Sequence, residues 1–523
     1  MTAGLDAVVI APTVVLVVLT VGMQVTSLFV ISDLHLGGRP AEGGKPAFQM
    51  CTAEGRKRLC QFLQWLTAEA KPSKPGEREV HLVIAGDIVD FLAQETDDGF
   101  SPFTGDDGKA ARKLQAIFDT TAEVWNALGA FVAAGGRLTL MLGNHDLELS
   151  LPGPRRMLLD RLGPGRVEFI YDNQALAVGK VLIEHGNRYD DWNAVPHDAL
   201  REARSKASRG EAAAFEALPG SELVVQLVNP IKTQLSFIDL LKPEDAALLP
   251  FVALFAPDLY KEAAVTLKNR VRALRVRYAA GQQPRDPNYI GAQVAGAAPA
   301  PVLLGSGNED DDALFALADR AAAGGDASMA SAGAVSFFER WRSKLAEAYR
   351  NTQLDLILKV LRAWRGASER AFDVAIEDEK YLRAATETAA RGFDVVIYGH
   401  THLAKRVPLG GRMASNGRSV GTGALYYNSG TWADLTAIPD EILAPASQVP
   451  GEARARLAAF VDDLAANHVE KWRRRLPTYV RVELETKPDG ESRIVSSALQ
   501  MLGERGEPID VTTPVFRAAL QGK

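Results

Sequence analysis

Five short runs of Val, Ile and Leu each end at a cluster of Asp, Asn, Gly or His, and this recurrence constrains the chain more than any other feature. The runs are VTSLFVISD (25–33), VHLVIAGD (80–87), RLTLMLGNHD (137–146), VLIEHG (181–186) and FDVVIYGH (393–400). Each is too short for a free-standing helix and reads as a buried strand. Between them lie helical patterns. Residues 109–134 place Leu114, Ile117, Thr121, Val124, Leu128 and Phe131 at three- and four-residue steps, and Gly135 and Gly136 supply the stop. Strand and helix in alternation predict an α/β core.

From about 200 to 390 that rhythm breaks. The segment is Ala-rich and helical in pattern, with flexible-looking stretches near 291–334. Strand signals return in ALYYNSGTW (424–432), PTYVRVELE (477–485) and ESRIVSSALQM (491–501). The simplest organisation is one core in two parts, 23–200 and 391–505, split by a helical insertion over 201–390, with a tail from 506 to 523. Residues 7–23 form an apolar run of 17 residues that contains Pro12 and lacks a basic start. A spanning helix needs about 20 such residues. Residues 1–22 therefore read either as an anchor or signal, or as sequence upstream of a natural start at Met23.

The strand ends share one chemistry. They carry Asp33 and His35, then Asp87 and Asp90, then Asn144, His145 and Asp146, then His185, and finally His400 and His402. Five of the chain's 8 histidines sit in these segments. Carboxylate, amide oxygen and imidazole donors suit zinc, manganese or iron. In an open α/β sheet the carboxyl ends of strands open into one crevice, where ligands far apart in sequence can meet. The two cysteines, Cys51 and Cys60, sit nine apart and suggest neither a disulfide framework nor a zinc ribbon. A net charge of −6 gives no general attraction to nucleic acid.

As an ordered set, DLH, GDIVD, GNHD, EHG and GHTH resemble the motifs of the calcineurin-like metallophosphoesterases, over roughly 24–190 and 393–432. The resemblance implies a four-layer αββα sandwich holding two divalent ions, manganese first, with iron or zinc as alternatives. It assigns Asp33, His35 and His402 to one ion, Asn144, His185 and His400 to the other, and Asp87 to both. Two ions about 3.5–4 Å apart can polarise a phosphoryl group and generate hydroxide for in-line attack. His145 is not needed as a ligand and is free to protonate the leaving oxygen. Asp146 is expected to orient it, and Asp90 to fix a ligating histidine. NSGTW (428–432) reads as the turn holding the GHTH loop.

The layout is also similar to the UDP-2,3-diacylglucosamine diphosphatase group, which carries a helical insertion over its site. Two departures separate this chain from that group: His145 stands where Arg is usual there, and the insertion is much longer. The expected activity is cleavage of a phosphodiester, pyrophosphate or phosphomonoester in a small molecule. Alternatives are a lipid-linked nucleotide pyrophosphatase, a nuclease, and a non-catalytic metal-binding scaffold. Arg188, Lys405 and Arg406, next to expected ligands, are candidates for holding substrate phosphate. The apolar stretch 223–257 reads as the insertion's own core or as an acyl groove. A cytoplasmic protein, in peripheral contact with the membrane if the groove is exposed, is the expectation.

Overall fold

A computed structural model describes residues 24–40, 48–71, 78–255 (without 173, 212, 213, 234 and 243), 265, 354, 357–362, 370–436 and 450–520 (without 467 and 488). The apolar N-terminal run, the expected linker at 291–334 and the basic segment RVRALRVRYAA (270–280) lie outside the described residues. Among the described residues no helix is long and apolar enough to cross a membrane.

Two sheets form the core. The larger contains β1 (Gln24–Ile31), β2 (Arg78–Ala85), β3 (Arg137–Met141) and β4 (Val167–Ile170), all parallel. The smaller contains β5 (Leu176–Val178), β6 (Val181–Ile183), β7 (Val395–Tyr398), β8 (Lys405–Pro408) and β9 (Leu425–Asn428), with β6, β7 and β9 parallel. A short pair, β10 (Leu435–Thr436) and β11 (Arg473–Arg474), lies apart from both sheets. The antiparallel strands β12 (Thr478–Thr486), β13 (Ser492–Leu502) and β14 (Pro508–Asp510) extend the larger sheet beyond β1. All five strand runs expected from the sequence are strands, and their carboxyl ends point to one region.

Alternation along β1 shows how four layers arise. Phe29 and Ile31 join a cluster with Leu59 and Phe62 of α1 (Ala53–Ala70), Ile117 of α2 (Asp107–Thr120) and Trp125 of α3 (Ala122–Ala133). Leu28 and Val30, on the opposite face, join Val83, Ile183, Ile397 and Tyr427 between the sheets. The outer face of the smaller sheet presents Val396, Tyr398 and Tyr426 to Tyr381 and Leu382 of the helix Glu379–Ala389. Side chains two residues apart in a strand share a face, so each strand serves two layers. The result is an αββα sandwich.

The helical stretch read over 109–134 is broken. Thr121 adopts φ −131, ψ 28, and its hydroxyl donates back to the Ile117 carbonyl, a local bond that competes with helix continuation. The indole N–H of Trp125 then donates to the Thr121 hydroxyl.

In the insertion, the apolar stretch is consumed in a core of its own. Leu227, Ile231, Phe237, Ile238, Phe251 and Val252 are each at most 5% exposed and pack with Ile357 and Leu361. Leu457, Phe460 and Val461 of the helix Pro450–Ala465 belong to the same cluster, so a helix from within the second core part completes the insertion's interior. The expected tail from 506 is not loose. Pro508–Asp510 pairs with β13, and Phe516 of a short terminal helix is 1% exposed between the layers.

Candidate metal centre

Backbone strain marks the place where the strand ends meet. Among the described residues, the non-glycine residues with positive φ are Asp33 (55°), His35 (45°), Asp87 (50°), His400 (72°) and His402 (64°). All five are candidate ligands. Left-handed backbone is costly for side-chain-bearing residues, although Asp and His tolerate it better than most. Such strain gathers where a fold over-determines a functional geometry. Here it turns side chains out of the strand ends and into the crevice.

Glycines before the ligands make room. A β-carbon on Gly143 would lie 2.1 Å from Asp87 Oδ1, and one on Gly399 would lie 2.3 Å from Ser32 Oγ and 2.6 Å from Asp33 Oδ2. The Gly-Asn-His-Asp and Gly-His motifs thus begin with glycine because the neighbouring loop passes where a side chain would stand. Gly143→Ala is expected to displace the Asp87 carboxylate and lower turnover on the order of 10²-fold, the scale of an ångström misplacement. Steady-state rates on folded protein, checked by circular dichroism, measure this.

Among the described residues, three overlapping groups have ligand atoms within 4.8 Å of one another: Asp33, His35 and His402; His35, Asp87 and His145; Asp87, His185 and His400. His35 Nε2 lies 2.9 Å from His402 Nε2, 3.7 Å from Asp87 Oδ2 and 3.9 Å from Asp33 Oδ1. His402 Nε2 lies 3.4 Å from Asp33 Oδ1. On the other side, His185 Nε2 is 3.2 Å from Asp87 Oδ2 and 3.2 Å from Asn144 Oδ1. Asp87 therefore stands between two sets, and the seven residues assigned by resemblance are brought together.

The loops are fixed by the ligands' own backbone contacts. Asp33 accepts from the His400 amide at 2.9 Å, and Asp87 accepts from the His145 amide at 2.8 Å. Asn428 donates to the Gly399 carbonyl at 2.7 Å and to the Thr401 hydroxyl at 3.0 Å, while Trp432 is buried in the helix-facing core. The segment after β9 thus braces the GHTH loop.

Electrostatics fit a cation. Asp33 and Asp87 are buried, at 0% and 1% exposure. Burial alone would raise both carboxyls, but surrounding imidazoles outweigh it. Asp33 is held at about 2, chiefly by His402 and His185, and Asp87 well below the usual carboxylate range, by His185, His145 and His35. Two buried carboxylates beside converging imidazole nitrogens need positive charge between them. Divalent ions meet that need with the N/O donor set present.

Around this centre the histidines are oriented by further acceptors. His185 Nδ1 lies 2.8 Å from the Ala85 carbonyl, which leaves Nε2 facing Asp87. Asp90 Oδ1 lies 3.2 Å from His145 Nδ1 and its Oδ2 3.7 Å from His35 Nδ1. His145, at 18% side-chain exposure, is the most open of the five imidazoles, the others ranging from 0 to 9%.

Asp146 departs from expectation. Its carboxylate accepts from the Ile88 and Gly143 amides at 2.8 and 2.7 Å, and the carboxylate beside the His145 ring belongs to Asp90. Burial and the nearby Asp87 charge push the Asp146 carboxyl up to about 8. It staples the β2 and β3 loops together.

The three basic candidates also have structural occupations. Lys405 is 2% exposed and donates to the Ala371 and Asp373 carbonyls. Arg406 stands opposite Tyr427 in the β8–β9 pair. Arg188 Nε lies 3.5 Å from Glu184 Oε2. Proximity in sequence misled here, because β8 turns Lys405 into the protein rather than toward the crevice. Lys405→Met should leave KM unchanged and cost about 1–3 kcal/mol of stability through unsatisfied carbonyls, read from urea melts.

Sequence reasoning missed Asp190 and Asn193. Asp190 Oδ2 lies 3.0 Å from His400 Nε2, and Asn193 Oδ1 accepts from Asn144 Nδ2 at 3.4 Å. Their only signal was a polar run, Asp-Asp-Trp-Asn, soon after His185.

No curated protein matches the chain. Residues 26–223 do match a family model, and that stretch carries Asp33, His35, Asp87, Asn144 and His185, with His400 and His402 added from beyond it. The family is the calcineurin-like phosphoesterases, so this stretch of the chain is similar to metal-dependent phosphoester hydrolases, and groups of His and Asp that could hold a metal ion lie at its strand ends.

Proposed function

We propose that this protein hydrolyses a phosphoester bond using two divalent ions, manganese first among them. Asp33, His35 and His402 would hold one, Asn144, His185 and His400 the other, and Asp87 both. When bound, such ions neutralise phosphoryl oxygens and lower the pKa of a water. The observation that carries this reading is the convergence of three ligand-atom groups, within 4.8 Å each, at the ends of strands from both sheets.

The chain's own residues supply the rest. His145 Nδ1 lies 3.2 Å from Asp90 Oδ1, so an N–H there can be donated to that carboxylate while a proton on Nε2 passes to the leaving oxygen. The Asp90 carboxyl is buried, which raises it, but His145 outweighs that and keeps it well below the usual range. Asp146 keeps the Gly143–Asp146 loop and the Asp87 loop in register. The proposed reaction is a single in-line displacement at phosphorus on a small-molecule ester.

Within that class, a phosphodiester, a pyrophosphate and a phosphomonoester are all candidate substrates. A lipid-linked nucleotide is less favoured, because Leu227, Ile231, Phe237, Phe251 and Phe255 of the apolar stretch are buried in the insertion's own core. Paired assays on bis-p-nitrophenyl phosphate and p-nitrophenyl phosphate, with protein stripped by chelator and then given manganese, test the reading. Metal-dependent turnover of either ester supports it. Equal turnover with and without chelator would overturn it.

A further inference from the structure

The turn Asp190–Asn193 follows His185 and touches three parts of the molecule at once. Asp190 Oδ2 lies 3.0 Å from His400 Nε2. The same carboxylate is held in place by the Trp192 amide at 3.1 Å, by the Asn193 side-chain amide at 2.9 Å, and by Lys380 Nζ at 4.0 Å from Oδ1. Asn193 Oδ1 accepts from Asn144 Nδ2 at 3.4 Å, which turns Asn144 Oδ1 toward His185 Nε2. One turn therefore orients two of the candidate ligands assigned to the same ion.

That turn is also where the insertion rests. The Gly220 amide donates to the Trp192 carbonyl at 2.8 Å. A β-carbon on Gly220 would lie 2.2 Å from Asn193 Oδ1, so the insertion's backbone is pressed against the atom that orients Asn144. A second anchor lies on the opposite loop: Asn229 Nδ2 donates to the Leu92 carbonyl at 2.9 Å, two residues beyond Asp90. The insertion is thus bolted to the loops that hold the ligand-orienting carboxylates.

We infer that Asp190 and Asn193 are positioning residues for the second ion, and that contact with Gly220 makes the insertion's docking part of how that ion is held. The inference rests on the reading of the site as a metal centre. Asp190 accepts the Nε2–H of His400 and fixes the tautomer, leaving the Nδ1 lone pair for a metal. Asn193 does the corresponding work for Asn144 by taking one of its N–H groups, which leaves the amide oxygen as the donor. When the insertion shifts at Gly220, Asn193 must move, and with it the Asn144 oxygen.

Manganese binding to the stripped full-length protein, followed by the electron paramagnetic resonance of free manganese, provides the test. The wild type is expected to take two ions. Asp190→Asn should bind one as before and the other about 10- to 100-fold more weakly, the usual effect of removing such an acceptor. Gly220→Ala should weaken the same ion, although residue 220 touches no ligand. Asp190→Glu should recover part of the affinity. Asp198→Asn, whose side chain is 88% exposed, serves as the control. A purely structural role would lower the melting temperature and leave both affinities unchanged, and that result in Asp190→Asn and Gly220→Ala would overturn the inference. If Asp190→Asn does not fold, Gly220→Ala decides. A wild type that takes up no manganese would overturn the metal-centre reading and this inference with it.

Discussion

Asp87→Asn is expected to lower turnover by about three orders of magnitude or more, because charge stabilisation by bound ions is worth several kcal/mol and each 1.36 kcal/mol is tenfold. Asp87 is where the two ligand sets overlap. Its Oδ2 lies 3.7 Å from His35 Nε2 and 3.2 Å from His185 Nε2. The amide keeps the size and the acceptor for the His145 N–H, so the loop should stay folded while the shared negative charge is lost. Elemental analysis of the purified variant separates the outcomes. Loss of metal with the fold retained is predicted, and full metal content with unchanged turnover would contradict the shared role.

His145→Ala should act differently. It removes a proton donor and leaves the ligands in place, so metal content should hold while kcat falls about 10²- to 10⁴-fold, the range for general acid–base groups. The size of the fall should depend on the substrate. A p-nitrophenolate leaving group is stable without protonation and should lose least, whereas an alkyl leaving oxygen needs the proton and should lose most. An equal loss on both would assign His145 to binding. Asp90→Asn should reproduce part of the effect, since Asp90 is the carboxylate 3.2 Å from His145 Nδ1.

The grouping of the candidate ligands was legible in the sequence because each sits at a strand end beside a residue type its loop requires. Gly143 and Gly399 are readable as motif glycines, and the structure gives the reason: the neighbouring Asp87, Ser32 and Asp33 leave no space for a side chain. What failed to show was anything set by the meeting of distant elements. Asp190 reaches His400 only because β6 and β7 pair in parallel, bringing residues after 183 beside residues after 398. No local spacing announces that. Lys405 looked like a phosphate contact because it follows GHTH, yet β8 directs it onto the Ala371 and Asp373 carbonyls.

The role of Asp146 was misjudged for a similar reason. Adjacent residues after a strand point in different directions, so the acid next to His145 in sequence holds backbone amides while one from the preceding loop meets the ring. The insertion's interior was partly readable from its apolar run. Its completion by the helix Pro450–Ala465 was not, because that helix arrives from beyond the second sheet.

The most direct measurement of the central claim is a manganese titration of chelator-stripped protein with bis-p-nitrophenyl phosphate hydrolysis followed at each step. Negligible turnover is expected without metal, with a rise that saturates as two equivalents bind. Undiminished turnover in the stripped protein, or none with two ions bound on any phosphoester offered, would contradict the claim.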